Sequence, residues 1–218
     1  MSAAEASSDR TSFFLRKLHS ISGIVPIGFF LLEHFWTNSA ALVSPERFNQ
    51  AAGDLESSPW LIFAEIFGIW LPILYHGGYG IYIWIKGKNN VSEYPWVGNW
   101  MYTMQRYTGL IAFVFIGWHV YTERFLPRGN STFAAVQIQL AHPLYFWFYV
   151  IGVTAASVHL GVGVWNFLCK WGLAATVRAQ RAAGYLGVVV AITFTVVGLA
   201  IAISFRYGWH PFQFYRPS

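Results

Sequence analysis

The sequence predicts an all-α integral membrane bundle of five transmembrane helices, with its N-terminus on the cytoplasmic side. Three observations lead there. The 218-residue chain is 56% hydrophobic and only 11% charged, against roughly 25% charged in soluble domains. Four long runs, 66–85, 107–122, 143–169 and 182–205, contain no Asp, Glu, Lys or Arg, and a helix needs about 20 apolar residues to cross a bilayer. Four histidines, His34, His76, His119 and His159, interrupt otherwise apolar stretches. An ionisable ring at membrane depth is costly and marks a functional site. The chain, 1–218, is expected to form one membrane domain. Its net charge of +5 is spread over the ends of the apolar runs, which does not fit the basic patch of a nucleic-acid binder. With Cys169 alone, no intrachain disulfide can form, and C-x-x-C-H, the covalent haem-attachment motif, is absent.

Each element follows from local chemistry. Residues 1–12 are polar and read as a short disordered tail without a cleavable signal peptide. Residues 13–20 are basic and aromatic and suit the membrane surface. The first helix is expected over 20–38; it contains Pro26, which membrane helices tolerate when neighbours satisfy the backbone. A polar loop, 39–59, leads to the second helix, 60–85. Turn-forming residues fill 86–95. The tryptophans and tyrosine of 96–106 suggest a short interfacial helix. The third helix is expected over 104–125, an outer loop over 126–132, and the fourth helix over 143–171. A basic connector, 174–181, precedes the fifth helix, 182–205, and an aromatic tail follows.

Five crossings place the termini on opposite sides. With the N-terminus inside, the inner cations are Arg10, Arg16, Lys17, Lys86, Lys88, Arg106, Lys170, Arg178 and Arg181. The outer ones are Arg47, Arg124, Arg128, Arg206 and Arg216. Nine against five favours this orientation.

The orientation then sets the depth of each histidine. His34 lies about 21 Å along the first helix and His119 about 20 Å along the third, both counted from the inside. His76 and His159 each lie about 24 Å along helices that enter from the outside. In a hydrocarbon core of about 30 Å, His34 and His119 form an outer pair, and His76 and His159 an inner pair. Two rings at equal depth on different helices are what bis-histidine ligation of a flat macrocycle requires. The pattern H-x-G-x-G occurs at His76, Gly78 and Gly80, and again at His159, Gly161 and Gly163. Gly77, Gly78, Gly80, Gly161 and Gly163 leave room for a haem beside the ligands, or serve close helix packing. A histidine chain conducting water or protons is the competing reading of the four rings.

Other residues carry two readings each. Arg16, His19, Ser22 and Arg106, with Gln105, sit at the inner edge, where they suit either anionic haem propionates or interfacial anchoring. Glu65, near the outer end of the second helix, and Glu33, beside His34, suit either proton transfer at a quinone or contact with the interface. Trp36, Trp60 and Trp118 suit a quinone ring or an aromatic belt. His142 and His210 are expected at the surface.

FFLRKLHSISGIVPIGFFLLEHFW, FAEIFGIWLPILYHGGYGIYIW, NWMYTMQRYTGLIAFVFIGWHVYTE and FYVIGVTAASVHLGVGVWNF together resemble the di-haem cytochrome b membrane anchor of bacterial succinate:menaquinone oxidoreductase, in the succinate dehydrogenase and fumarate reductase group. The resemblance covers about 12–205, in order. It implies two haem b groups, held by His34 with His119 and by His76 with His159, the inner one at higher potential. It also implies a flavoprotein subunit and an iron–sulfur subunit docked on the cytoplasmic side, and a quinone, menaquinone or another, as electron acceptor. Succinate chemistry would then lie on the partners, because this chain has no Rossmann G-x-G-x-x-G unit and too few cysteines for a four-thiolate cluster. Two alternatives stand beside this. One is the di-haem anchor of another respiratory dehydrogenase. The other is a cofactor-free transporter, which the lack of repeated halves with broken helices disfavours.

Overall fold

The computed structural model describes residues 3–126 and 132–213. Arg128, Arg216 and the end of the aromatic tail lie outside the described residues. Within them the chain is helical, with no β-strand. The elements are α1 (Ala3–Ile24), α2 (Pro26–Ser39), α3 (Pro45–Glu56), α4 (Leu61–Phe63), α5 (Leu71–Lys86), α6 (Val97–Val120), α7 (Phe133–Ala141), α8 (Pro143–Lys170) and α9 (Val177–Tyr207). A 3₁₀ turn, Ala40–Leu42, follows α2, and π-helical segments, Ala64–Trp70 and Tyr121–Phe125, lie before α5 and after α6.

Among the described residues, four stretches are both long and apolar enough to cross a membrane: Arg10–Leu42, Leu61–Lys86, Pro143–Lys170 and Val177–Tyr207. Their outward faces carry bare aromatic and aliphatic side chains, among them Phe29, Phe67, Leu74, Val189 and Val196, each more than half exposed. Hydrocarbon is the solvent for which such a surface is stable. The remaining expected span, 104–125, falls within α6 and its π extension. At 24 residues, α6 is about 36 Å long. Asn99, Gln105, Arg106 and His119 make it less apolar than the other four.

Several boundaries differ from expectation. Helix begins at Ala3 rather than near residue 20, and it breaks at Val25, where Pro26 has no N–H to continue the ladder. The loop 39–59 contains an amphipathic helix, α3, started by Pro45 and by Ser44, whose hydroxyl accepts from Arg47 N. The short interfacial helix expected at 96–106 is not separate; from Val97 it is the first part of α6. The connector expected at 174–181 is helical from Val177, the start of α9, which Thr176 caps by accepting from Ala179 N. Gly208, at φ 64°, ends α9 in the left-handed conformation that glycine adopts without strain.

The best-packed core lies at one end of the bundle. Ala41, Leu42, Phe48, Phe133, Leu140, Phe146, Ile201 and Phe205 form one buried cluster there. The helices α3 and α7 thus close this cap end. Ser204 donates to Ala41 O at 2.6 Å, and His210 Nδ1 stands 2.8 Å from the same carbonyl. His210 is therefore tucked under the cap rather than lying free at the surface. His142 is exposed, as expected, and its ring accepts from Leu144 N at the start of α8. At the opposite, basic end, the Lys17 ammonium lies 4.5 Å from the Trp171 ring and donates to Lys170 O at 2.5 Å.

Helix α8 packs most extensively, against α9 and α6. The crossing with α9 is backbone against backbone at Gly161 and Gly187. A Cβ on Gly187 would stand 2.5 Å from Gly161 O, and one on Gly161 would meet Gly187 O and, at 2.8 Å, Ala191 Cβ. Gly161 therefore serves helix packing, as small residues do in membranes. Gly161→Leu should cost about 1–3 kcal/mol by overpacking, read as a lower midpoint of thermal unfolding in detergent. An unchanged midpoint would mean that this crossing is not tight.

Candidate functional site

The structure brings the four membrane histidines together in two pairs, drawn from four helices. His34 on α2 and His119 on α6 have ring centroids 5.7 Å apart, with their planes at 76°. His76 on α5 and His159 on α8 stand 6.1 Å apart at 83°. The first pair lies towards the cap end and the second towards the basic end. Two imidazoles on opposite sides of one metal, each bonded at about 2.0–2.1 Å, place their ring centroids about 6 Å apart, so both pairs have the spacing of bis-imidazole ligation. Among the described residues no three His, Cys, Asp or Glu side chains gather to hold a bare ion. Paired rings suit an iron whose other ligands belong to a macrocycle.

Hydrogen bonds set which ring nitrogen is free. His76 Nδ1 lies 3.0 Å from His19 O, and His159 Nδ1 lies 3.0 Å from Gln105 O. A carbonyl only accepts, so both rings carry their proton on Nδ1 and leave Nε2 with its lone pair. That is the tautomer a metal ligand needs. His119 Nδ1 faces the Tyr149 hydroxyl at 3.0 Å. His34 differs: its Nδ1 is 3.5 Å from Asn38 Nδ2, which also donates to His34 O at 2.8 Å.

The inner pair sits in two matching cradles. The His76 ring presses on Gly23, so close that a Cβ there would overlap its Cε1, and His159 presses on Gly109, where a Cβ would be 2.8 Å from the ring. Gly23 follows His19 by four residues, and Gly109 follows Gln105 by four. One turn after each histidine, Gly80 faces His19 Nε2 and Gly163 faces Gln105 Nε2. Gly77 packs against Phe113 instead, and Gly78 faces open space. Gly23 and Gly109 escaped the sequence reading; their place one turn after His19 and Gln105 was the signal.

The remaining candidates are dispersed. The His19 ring stacks on His76, centroids 4.2 Å apart and planes within 5°. Ser22 is buried, donates to His19 O at 3.0 Å, and turns its oxygen to His76 Nδ1 at 3.5 Å. Arg16 is exposed at the basic end. Arg106 closes the end of α5: it donates to Trp84 O, to Gly87 O at 2.9 Å, and to Tyr102 at 3.3 Å. Three buried polar atoms at this level, Trp84 Nε1, Gln105 Oε1 and Arg106 Nε, have no hydrogen-bond partner. Unpaired buried donors are expensive, and two of the three are N–H groups suited to an anion.

Towards the cap end, Glu65 on the first π segment accepts from Arg124 on the second at 3.0 Å. Glu33 is exposed and accepts from Thr37 at 2.5 Å. Trp36 and Trp60 are 80% and 72% exposed, as expected of a lipid-facing belt; Trp118 stacks on Tyr145 at 6.2 Å. Sequence reading also missed Tyr149 and Glu123, because a tyrosine within an aromatic-rich helix and a glutamate at a helix end carry no distinguishing pattern.

The family model described as succinate dehydrogenase/fumarate reductase transmembrane subunit matches residues 85–198. The chain is 36% identical over 200 residues to the succinate dehydrogenase cytochrome b558 subunit of Bacillus subtilis (strain 168), covering 91% of this chain and 99% of that protein. No solved structure matches.

The Glu65–Arg124 pair, with Arg124 half exposed, should contribute no more than about 1 kcal/mol. Glu65→Gln should thus leave thermal stability nearly unchanged. A fall well beyond that amount would show that the pair holds the two π segments together.

Proposed function

The chain belongs to the succinate dehydrogenase/fumarate reductase transmembrane subunit family, and from that premise we propose that it is the di-haem b anchor of a succinate:quinone oxidoreductase in a bacterial cytoplasmic membrane. The observation that carries the reading is the pair of histidine pairs, at 5.7 and 6.1 Å. His76 and His159 would hold the inner haem, and His34 and His119 the outer one. Bound haem supplies one-electron chemistry, here between an iron–sulfur subunit, itself fed by a flavoprotein, and menaquinone or another quinone.

The protein's own groups do the rest. Backbone carbonyls of His19 and Gln105 fix the two inner ligand rings. Gly23 and Gly109 admit those rings against the neighbouring helices. His19 and the unpaired N–H groups of Arg106 and Trp84 offer donors to propionates, with Arg16 at the membrane edge, while Ser22 already gives its proton to His19 O. Arg106 takes only a part in this, because its terminal nitrogens already hold the end of α5. Glu65 is placed to exchange protons with a quinone near the outer pair, with Arg124 holding its carboxylate.

Five spans with the N-terminus inside accommodate this arrangement, α6 being the fifth. Its polar residues are then accounted for by the site: Gln105 and His119 face α8, and Arg106 faces α5. The basic end would face the cytoplasm, where the dehydrogenase subunits dock.

His76→Ala should lower the haem content from two per chain to one and abolish succinate-driven quinone reduction, as measured on the assembled, detergent-purified complex. Gly109→Leu, which drives a side chain into the His159 ring, should do the same without removing a ligand. Unchanged haem content and quinone reduction in His76→Ala would overturn the assignment.

A further inference from the structure

Of the four histidines, His119 alone is wired to a carboxylate. Tyr149 Oη stands 3.0 Å from His119 Nδ1 and 3.2 Å from Glu123 Oε1. A phenol has a single proton. Thr122 Oγ1 also lies 3.3 Å from that oxygen, but its one proton goes to the nearer His119 O at 3.1 Å; an ionised carboxylate only accepts, so the phenol is its donor. Tyr149 then donates to Glu123, and its oxygen accepts the His119 Nδ1 proton. The groups around the phenol are buried, Tyr149 being 7% exposed, Thr122 2% and Gln139 4%, while Glu123 is half-buried. Gln139 Nε2 donates to Thr122 Oγ1 at 3.2 Å, and Thr122 Oγ1 lies 3.1 Å from His119 O. The chain is thereby held at both ends, by α7 and by α6. Hydrogen bonds in such a medium polarise one another.

The other three rings have different partners. His76 and His159 face neutral backbone carbonyls, and the Nδ1 of His34 faces an amide nitrogen. A negative charge relayed to Nδ1 makes the imidazole a stronger electron donor through Nε2. A more basic axial ligand favours the oxidised metal and lowers its potential.

We propose that Tyr149 and Glu123 are positioning residues that fix the His119 proton on Nδ1 and lower the potential of the outer haem relative to the inner one. This rests on the di-haem reading above and supplies a structural cause for unequal potentials in two sites that share the same ligand type. The anionic relay falls on the pair nearer the cap end and spares the pair nearer the basic end, which gives the difference its sign.

The test is a potentiometric titration of both haems in the purified complex, with Tyr149→Phe and Glu123→Gln as the variants. Haem per chain is measured on each sample. Two haems should remain, and the outer one should titrate higher. At a fixed ambient potential its oxidised-to-reduced ratio should fall about tenfold, equivalent to about 59 mV for one electron. The inner haem should be unmoved, and the low-temperature electron paramagnetic resonance of the outer ferric haem should shift in both variants. An outer potential equal to wild type, or equal movement of both haems, would refute the proposal. Should Tyr149→Phe lose the outer haem, Glu123→Gln, which keeps the phenol against the ring, decides by the same readings. Absence of haem in the wild-type complex would instead sink the di-haem reading itself.

Discussion

Burying four imidazoles in an apolar bundle is the constraint on which the rest of this structure depends. Each ring has two nitrogens, and neither can be left unpaired in hydrocarbon without cost. For His76 and His159 the solution is a carbonyl on the neighbouring helix, 3.0 Å away in both cases. Taking such a bond requires the ring to lie almost on the partner backbone. That is possible only where the partner has no side chain, which is why Gly23 and Gly109 stand where they do. One nitrogen of each ring is thereby settled and Nε2 keeps its lone pair, that of His159 with the Gln105 amide nitrogen 3.4 Å away. Those lone pairs are what the proposed haem site would use.

The two cradles are copies of one another. His19, Gly23, His76 and Gly80 correspond to Gln105, Gly109, His159 and Gly163. In each, a carbonyl holds the ring, a glycine one turn later receives it, and a second glycine, one turn after the histidine, clears the side chain at the carbonyl's own position. The α1–α5 pair and the α6–α8 pair thus repeat a single device. The copies differ at one residue: a histidine stacks on His76 where a glutamine reaches towards His159 Nε2, at 3.4 Å. The two faces of the inner pair are therefore chemically unequal, although both rings are imidazoles.

Much of this was legible in the sequence, for definite reasons. Charge-free runs reveal spans because lipid admits few ions, and counting 1.5 Å per residue put His34 level with His119 and His76 level with His159, where the rings do meet. The repeated H-x-G-x-G pointed to two like histidines, although Gly161 turned out to serve the α9 crossing and Gly78 faces open space. What stayed hidden lies off the spans or across them. The amphipathic α3 sits in a stretch whose polarity reads as loop, and α7 is apolar but too short to cross a membrane, yet their buried residues, Phe48 and Phe133, complete the core at the cap end. Arg106 read as a cation at an edge, but it is spent largely on the carbonyls that end α5. The Glu123–Tyr149–His119 chain joins α8 to α6 and its π extension, and no pattern along one helix reports a contact made between two.

The central claim is that the two histidine pairs each hold one haem. A dithionite-reduced minus oxidised spectrum of the detergent-purified protein, with haem quantified per chain, tests it most directly. Two b-type haems per chain is the expected result. A well-folded, haem-replete preparation that binds none would contradict the claim outright, and a single haem would show that one of the pairs is a packing contact.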